Sequence, residues 1–258
     1  MGYLMDYLKM LTYRFDDLDE LILIGLSDLH IGSDQCDEKL IGLFLKKWGE
    51  MPNVRFVLAG DLVDNGLKNS KTNVYEQRYS PEGQIDRVVE MLSPYRDKIL
   101  CIVDGNHEKR SSKEADISPS RLIAYELGLS KVYRKISCYL RIYVGKRKNG
   151  HSDNPVYSVA VHHGGGGAMH KLDKYSVMLG VDVLMSGHTH KPDSHPVSRM
   201  EVDINKGVVR LKKIHVVTLT GWLNFGGYGE EKMYLPTPVA PNRVILMGGN
   251  HEIEVINT

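Results

Sequence analysis

The sequence has few cysteines, no long apolar run and no excess of either charge. Its 3 cysteines, Cys36, Cys101 and Cys138, lie far apart and form no CxxC pair. Free thiols in a reducing compartment explain them better than disulfides or a zinc–thiolate site. No apolar run reaches the ~20 residues of a membrane-spanning helix, and the first twenty residues lack the apolar core of a signal peptide. We therefore expect a cytoplasmic protein without a membrane partner.

Basic and acidic residues are almost balanced. The chain of 258 residues has 33 Lys and Arg against 32 Asp and Glu, which gives a formal net charge of +1. Proteins that bind long nucleic-acid duplexes generally present a strong positive field, and this balance argues against one, although a local basic patch is compatible with it. The hydrophobic share of 42% is ordinary for a globular protein.

Short β-branched apolar segments alternate with amphipathic segments over much of the chain. Buried strands are predicted at 21–27, 54–60, 98–104, 156–162 and 181–186. Helices are predicted at 37–50, 80–93, 118–128 and 169–179. Two of these helices begin with a Ser-Pro pair, which is typical of a helix N-terminus. The alternation of strands and helices indicates an α/β fold.

The remaining segments are richer in strands than in helices. Strands joined by hairpins are predicted at 132–144, 208–220, 243–247 and 252–256. We therefore expect a single domain over residues 1–258. Its motif-bearing half would cover about 20–192, and a strand-rich, more antiparallel second sheet would cover about 193–258.

Polar side chains follow each of the five predicted buried strands. They are Asp28 and His30; Asp61 and Asp64; Asn106, His107 and Glu108; His162 and His163; and His188 and His190. Because the carboxyl ends of strands in an open α/β sheet form one edge, these side chains are expected to converge. Oxygen and imidazole donors without a thiolate suit Zn, Mn, Fe, Ni or Co. Their number fits two cations that share a bridging carboxylate and clamp a phosphoryl group.

The motifs DxH, GDxxD, GNHE, H and GHTH, in this order between residues 28 and 190, resemble those of the calcineurin-like metallophosphoesterase family. The resemblance implies a four-layer α-β-β-α sandwich of two mixed sheets with the helices outside. It also implies phosphoester hydrolysis at a dinuclear metal centre, with a bridging hydroxide as the nucleophile. Phosphomonoesterases, protein phosphatases and non-catalytic scaffold proteins share this platform, although scaffold proteins usually lose ligands that this chain retains.

The resemblance assigns a role to each motif residue. One metal ion would be held by Asp28, His30 and His190. The other would be held by Asn106, His188 and one histidine of the 162–163 pair, and Asp61 would bridge both ions.

Three further residues would serve catalysis or substrate binding. By the same resemblance, His107 would stand beside the scissile phosphate and protonate the leaving group. Asp64 would orient His107 as its carboxylate partner. Arg110 is a candidate phosphate contact because it follows GNHE closely and a guanidinium binds oxyanions in a bidentate manner.

The sequence leaves two assignments open at the pair His162–His163. In a regular strand, His163 shares a face with Val159 and Val161, whereas His162 points to the opposite face. Members of the family often have His-Gly at this point, which favours His163 as the ligand, with His162 as the alternative.

The tetrapeptide GNHE occurs twice, at 105–108 and at 249–252. The second copy follows GHTH, outside the order of the family, and lies between two apolar runs where Gly-Gly-Asn is typical of a hairpin turn. We therefore assign Asn106 and His107 to the site, and Asn250 and His251 to a turn.

Three segments bear on the substrate. The HHGGGG segment and residues 221–238 resemble those of phage- or prophage-associated members of the family, which favours a phosphodiester of a nucleotide or nucleic acid. Aromatic residues within 222–228 could stack on bases, although packing in the core is the simpler interpretation. The basic segment 145–154 is expected to be a solvated hairpin loop, with phosphate binding as the alternative.

Overall fold

The computed structural model describes residues 9–68, 70, 74–145, 154–165, 169–226, 230, 233 and 235–257. Its strands are Leu11–Phe15 (β1), Glu20–Leu26 (β2), Val54–Leu58 (β3), Ile99–Val103 (β4), Tyr133–Arg134 (β5), Ser137–Val144 (β6), Val156–His162 (β7), Val183–Ser186 (β8), Asp193–Asp203 (β9), Val208–Thr218 (β10), Arg243–Met247 (β11) and Ile253–Ile256 (β12). Its α-helices are Glu38–Gly49 (α1), Pro81–Leu92 (α2), Glu108–Ala115 (α3), Pro119–Glu126 (α4) and Met169–Leu179 (α5).

The strands form two six-stranded sheets. One has the order β12-β11-β2-β3-β4-β5 and the other the order β1-β6-β7-β8-β10-β9. Strands β2, β3 and β4 run parallel in the first sheet, and β7, β8 and β10 run parallel in the second. The carboxyl ends of the parallel strands in each sheet therefore form a common edge.

The buried side chains divide the molecule into four layers. Apolar residues from both sheets pack between them, among them Leu23, Val57, Val103, Val159 and Met185. On the outer face of the first sheet, strand residues pack against α1, α2 and α4 through Leu45, Val88 and Ile123. On the outer face of the second sheet, Leu184 packs against Leu172 and Tyr175 of α5. The predicted α-β-β-α sandwich of two mixed sheets is confirmed.

The expected division of strands between the sheets is wrong. Residues from 193 onward do not form a sheet of their own. Strand β11 pairs with β2 and β12 with β11, whereas β10 pairs with β8 and β9 with β10. Each sheet has three parallel and two antiparallel neighbouring pairs, so neither is the more antiparallel one. Strand β2 is buried at six of its seven positions and its second edge needs a partner, which the apolar β11 provides. The single domain over residues 1–258 stays a prediction.

Three described elements were not predicted: β1, α3 and β9. Helix α3 has the sequence EKRSSKEA, which lacks an apolar face. Strand β9 contains Pro196 and lies at the edge of its sheet, where a proline is tolerated because one side of the strand needs no ladder hydrogen bonds. Neither segment has the hydrophobic period on which the predictions relied. No helix of the described residues has the length and apolar character needed to cross a membrane.

Candidate metal centre

Five loops meet where the parallel strands of both sheets end. They follow β2, β3, β4, β7 and β8, and they carry the motif residues of the sequence. Five of these motif residues adopt left-handed backbone conformations: Asp28 (φ 55°), His30 (φ 48°), Asp61 (φ 51°), His188 (φ 74°) and His190 (φ 54°). Such conformations cost roughly 1–3 kcal/mol each for a non-glycine residue and cluster at functional sites. The loops are held in these conformations by the surrounding structure.

The first group of donors consists of Asp28, His30 and His190, whose ligand atoms lie within 4.8 Å of one another. His190 Nε2 lies 3.2 Å from Asp28 Oδ1 and 3.2 Å from His30 Nε2. Two hydrogen bonds hold Asp28 Oδ2, the carboxylate oxygen other than the one near His190. Ser27 Oγ donates to it at 2.6 Å, and the backbone N–H of His188 donates to it at 2.9 Å.

The second group consists of Asp61, His163 and His188. His163 Nε2 lies 3.2 Å from Asp61 Oδ2 and 2.9 Å from Asn106 Oδ1. The other ring nitrogen of His163 donates to the carbonyl of Ala59 at 2.8 Å. This hydrogen bond fixes the ring and directs Nε2 toward Asp61 and Asn106.

Asp61 lies between the two groups. Its Oδ2 atom is 3.2 Å from His163 Nε2 and 3.9 Å from His30 Nε2. Its Oδ1 atom accepts the backbone N–H of His107 at 2.8 Å. Oδ1 is therefore held by the protein, whereas Oδ2 faces both groups of donors.

His107 and His30 share the carboxylate of Asp64. Asp64 Oδ1 lies 3.3 Å from His107 Nδ1 and 3.3 Å from His30 Nδ1. His107 Nδ1 also contacts the carbonyl oxygen of Asp64 at 2.6 Å. The ligand atoms of these three side chains are also close enough together to hold a metal ion. Both histidines, however, turn Nδ1 toward the carboxylate, so each Nε2 points away from it.

Arg110 covers the remaining ring nitrogen of His107. Its Nη2 atom lies 2.9 Å from His107 Nε2, and its Nη1 atom donates to the carbonyl of Asp64 at 2.9 Å. The guanidinium thus lies beside His107 and Asp64, to which the resemblance gives catalytic roles.

The structure places the two adjacent histidines on opposite faces of β7. Tyr157, Val159 and Val161 pack between the sheets, and His163 continues this face toward Asp61. The His162 ring instead packs edge-on against Tyr175 of α5 at 5.8 Å, and its Nδ1 accepts the backbone N–H of Gly164 at 2.6 Å. The alternation of the strand therefore brings His163, and not His162, to the cluster.

Two glycines allow the loops to approach each other. A Cβ atom on Gly105 would collide with the carboxylate and backbone nitrogen of Asp61. A Cβ atom on Gly187 would collide with the Ser27 hydroxyl and the Asp28 carboxylate. Close packing therefore requires glycine at position 105 in GNHE and at position 187 in GHTH.

Glu108 has a structural role that the sequence reasoning missed. The side chain is fully buried, and its carboxylate accepts the backbone N–H groups of Asp61 at 3.0 Å, Leu62 at 2.7 Å and Gly105 at 2.8 Å. It therefore ties the GDxxD loop to the GNHE loop. A carboxylate at the start of a helix that follows a loop is a common signal for such a role, but only the fold shows which amides it reaches.

The carboxylates of Asp61 and Asp64 are charged at neutral pH. Burial by itself would raise the pKa of Asp61 and of Asp64, but the hydrogen bonds from His163 to Asp61 and from His107 and His30 to Asp64 hold both pKa values well below their usual range. Against the effect of burial, the hydrogen bond to Asp61 raises the pKa of His163 to about 9. Charged carboxylates are the form that binds a cation, and an imidazole must release its proton to do so.

The second GNHE copy lies away from this cluster. It forms the bend between β11 and β12, where the carbonyl of Asn250 accepts from Tyr157 Oη at 2.8 Å and His251 Nε2 contacts the carbonyl of Val156 at 2.8 Å. Its predicted position in a hairpin turn agrees with the structure.

The segments considered for substrate binding are only partly described. Residues 146–153, 166–168, 227–229, 231, 232 and 234 lie outside the described residues. The predictions for the basic segment, for part of the HHGGGG segment and for part of residues 221–238 therefore stay predictions. Trp222 is fully buried and packs against Phe44 of α1 at 5.0 Å. Stacking of Trp222 on a base is therefore excluded, and the simpler interpretation, packing in the core, is correct for this residue.

A model of the calcineurin-like phosphoesterase family matches residues 23–192, which is well over half of the chain. The chain belongs to this family, and the resemblance noted from the motifs is confirmed. No curated protein matches the sequence.

Solved structures of similar fold include zinc-complexed Vps29 from Entamoeba histolytica, with 12% identity, a TM-score of 0.44, and coverage of 92% of this chain and 99% of that one. Others are a metallophosphoesterase from Sphaerobacter thermophilus, with 14% identity and a TM-score of 0.42, and the calcineurin-like phosphoesterase YfkN from Bacillus subtilis, with 13% identity and a TM-score of 0.40. The last two comparisons each cover 92% of this chain and 88% of the other.

Proposed function

We propose that this chain hydrolyses phosphoesters at a centre of two divalent metal ions, and that its substrate is a phosphodiester of a nucleotide or nucleic acid. The observation that carries the proposal is the position of Asp61 Oδ2 between two groups of imidazole and carboxylate donors. A shared carboxylate between two ligand sets is the arrangement of two-metal phosphoryl-transfer sites.

The donor atoms fit divalent cations. Two ring nitrogens, His30 Nε2 and His190 Nε2, face each other at 3.2 Å, and both lie near Asp28 Oδ1. A cation between these atoms would use all three as ligands, whereas without one the two nitrogens compete for a single proton. Two bound ions, whether Mn, Fe, Zn, Ni or Co, would provide Lewis acidity for phosphoryl oxygens and would lower the pKa of a water molecule.

The ligands divide between two positions. One position would be formed by Asp28, His30 and His190, and the other by Asn106, His163 and His188, with Asp61 common to both. The placement of His163 Nε2 against Asp61 and Asn106 supports His163 over His162 in this assignment.

His107 would protonate the leaving group of the substrate. Its Nδ1 is engaged with Asp64, so a proton for the leaving alkoxide has to come from Nε2. Burial opposes the charged ring, but the hydrogen bond to Asp64 and the nearby Asp61 raise the pKa of His107 overall, which favours the acid form that this role requires. Arg110 lies at Nε2 and would have to turn toward the phosphate oxygens before His107 can donate its proton.

Hydrolysis of bis-p-nitrophenyl phosphate and p-nitrophenyl phosphate tests the proposal directly. The protein is stripped of metal, reloaded with Mn, Zn, Fe, Co or Ni in turn, and compared with Asp61→Ala. We expect turnover that requires metal, disappears in Asp61→Ala and is faster with the diester. Faster turnover of the monoester would reassign the chain to the phosphomonoesterases or protein phosphatases.

The absence of turnover with every metal, in a protein whose circular dichroism shows it folded, would contradict the proposal and favour a non-catalytic binding protein. The nucleic-acid part has its own test. Binding to labelled DNA or RNA should weaken as salt increases, because phosphate contacts release counterions. No binding at low salt would restrict the substrate to small phosphodiesters.

A further inference from the structure

A short segment between β3 and α2 contacts two of the loops that carry the candidate ligands. It contains Gln77 and Arg78 and precedes helix α2. The backbone N–H of Arg78 donates to the carbonyl of Gly32 at 2.8 Å, and its Nη1 donates to the carbonyl of Cys36 at 3.0 Å. Gln77 Nε2 donates to Asp64 Oδ2 at 2.6 Å. The segment therefore joins the loop after β2 to the loop after β3.

Gln77 is part of a directional chain of hydrogen bonds. The backbone N–H of Asn65 donates to Gln84 Oε1 at 2.8 Å, and Gln84 Nε2 donates to Gln77 Oε1 at 2.7 Å. Gln77 Nε2 then donates to the Asp64 carboxylate. Every donor in this chain points toward Asp64, so each bond polarises the next in the same direction.

Gln84 gives the chain a rigid base. Its side chain is fully buried, and its amide also donates to the carbonyl of Tyr79 at 3.1 Å. A Cβ atom on Gly32, whose φ is +105°, would collide with this amide. A glycine is required there both by the backbone conformation and by the space that Gln84 occupies.

The chain decides which oxygen of Asp64 faces the imidazoles. With Oδ2 bound to Gln77, Oδ1 is left to face His107 Nδ1 and His30 Nδ1, each at 3.3 Å. Without the bond to Oδ2, the carboxylate could rotate about its χ2 angle, which is a soft torsion. Neither imidazole would then face a fixed carboxylate oxygen, and His107 Nδ1 would keep only its hydrogen bond to the Asp64 carbonyl oxygen at 2.6 Å.

We propose that Gln77, supported by Gln84, is a positioning residue that locks the Asp64 carboxylate and thereby sets the orientation of His107. This inference rests on the proposed function, because it concerns the residue expected to protonate the leaving group. Gln77 itself does not contact the substrate, so it is expected to affect the rate of the chemical step and not the affinity for substrate.

The test compares Gln77→Leu, which keeps the size of the side chain but removes its hydrogen bonds, with Gln77→Glu and with Asp86→Leu as the control. Asp86 is exposed on the same helix as Gln84. For metal-loaded protein, we expect kcat to fall about tenfold to a hundredfold in Gln77→Leu, as for other residues that orient a functional side chain, with KM nearly unchanged. Gln77→Glu should lose more activity, because it places a second carboxylate against Asp64. Asp86→Leu should match the wild type.

A second readout does not depend on activity. Nitrogen-detected NMR of the imidazole rings should show a changed environment of His107 Nδ1 in Gln77→Leu and no change in Asp86→Leu. Unchanged His107 signals in Gln77→Leu would overturn the positioning role, as would an unchanged kcat in an active enzyme. If the wild type shows no hydrolysis with any metal, the proposed function fails, but the NMR comparison still decides whether Gln77 orients His107.

Discussion

The same four residues, GNHE, occur at 105–108 and at 249–252, but only the first copy lies at the candidate metal centre. In the first copy, Glu108 is fully buried and binds the amides of two loops, and Asn106 Oδ1 contacts His163. In the second copy, Asn250, His251 and Glu252 are exposed in the bend between two antiparallel strands.

The difference lies in what precedes and faces each copy. The first copy follows β4, a strand buried at all five positions, whose carboxyl end lies beside those of β2 and β3. The second copy follows β11, which runs antiparallel to β2. The carboxyl end of β11 therefore lies at the opposite edge of the sheet. Strand direction, which the four letters do not encode, therefore decides whether the motif reaches the cluster.

The largest contrast is expected for the asparagines. Asn106→Ala should abolish metal-dependent hydrolysis of the preferred nitrophenyl ester, because it removes an oxygen donor beside His163. Asn250→Ala should leave hydrolysis unchanged. The check is kcat/KM of both purified variants with saturating metal, and loss of activity in Asn250→Ala alone would reverse the assignment of the two motifs.

The histidines should differ by less. His107→Gln is expected to lower kcat by about 10²–10⁴-fold, the usual range for removal of a general acid. His251→Gln should keep kcat, since the contacts of His251 are stacking on Tyr157 at 4.6 Å, the Val156 carbonyl and Asp182 Oδ2 at 3.8 Å, all away from the candidate metal centre. A substrate whose leaving group needs no proton should reduce the His107→Gln defect, and an equal defect with good and poor leaving groups would argue against the proposed role.

The glutamates sharpen the comparison through stability. Glu108→Gln should lower the free energy of unfolding by about 3 kcal/mol, because an amide NH₂ placed among backbone N–H donors leaves buried groups without acceptors. Glu252→Gln should change it by less than about 0.5 kcal/mol, as is usual for exposed positions. Urea unfolding followed by circular dichroism measures both. Similar values for the two variants would mean that Glu108 does not tie the loops together.

The adjacent histidines extend the comparison to pH. Burial lowers the pKa of His162 to about 4, and its Nδ1 accepts a hydrogen bond that protonation would break. The unfolded state therefore binds more protons at this residue, so the stability it contributes is present above about pH 6.5 and is lost as the pH falls toward 4.

The expected size is about 1–2 kcal/mol between pH 7.5 and pH 5. Unfolding by urea at both pH values in wild type, His162→Gln and the control His170→Gln isolates this contribution from other titrating groups. His162→Gln should have the shallower decline with falling pH, and an equal decline in all three proteins would show that His162 does not titrate in this range.

The convergence of the candidate metal ligands could be predicted because their motifs are local. Asp28 with His30, and His188 with His190, are separated by one residue and follow short apolar strands. Such strands are recognisable from composition and length, and the edge at which parallel strands end is a general property of α/β sheets. The period of two placed His162 and His163 on opposite faces, and the His-Gly pattern of the family favoured His163.

The supporting residues could not be predicted, because their partners are distant in sequence. Glu108 reaches Asp61, 47 positions away, and Gln77 reaches Asp64 through a segment with no motif. The sequence around Gln77 is polar and does not indicate that its side chain forms a partly buried hydrogen bond. The prediction that β11 belongs to the second sheet was wrong for a related reason, since strand pairing depends on which edge is free and not on local pattern.

The sequence by itself determined the alternation of strands and helices, the family and the set of polar residues at the strand ends, because each depends on hydrophobic period and local spacing. Only the tertiary structure decided which backbone N–H groups Glu108 binds and which side chain binds Asp64 Oδ2. These are long-range contacts between loops, and they are set by the packing of two sheets whose relative position no local stretch of sequence specifies.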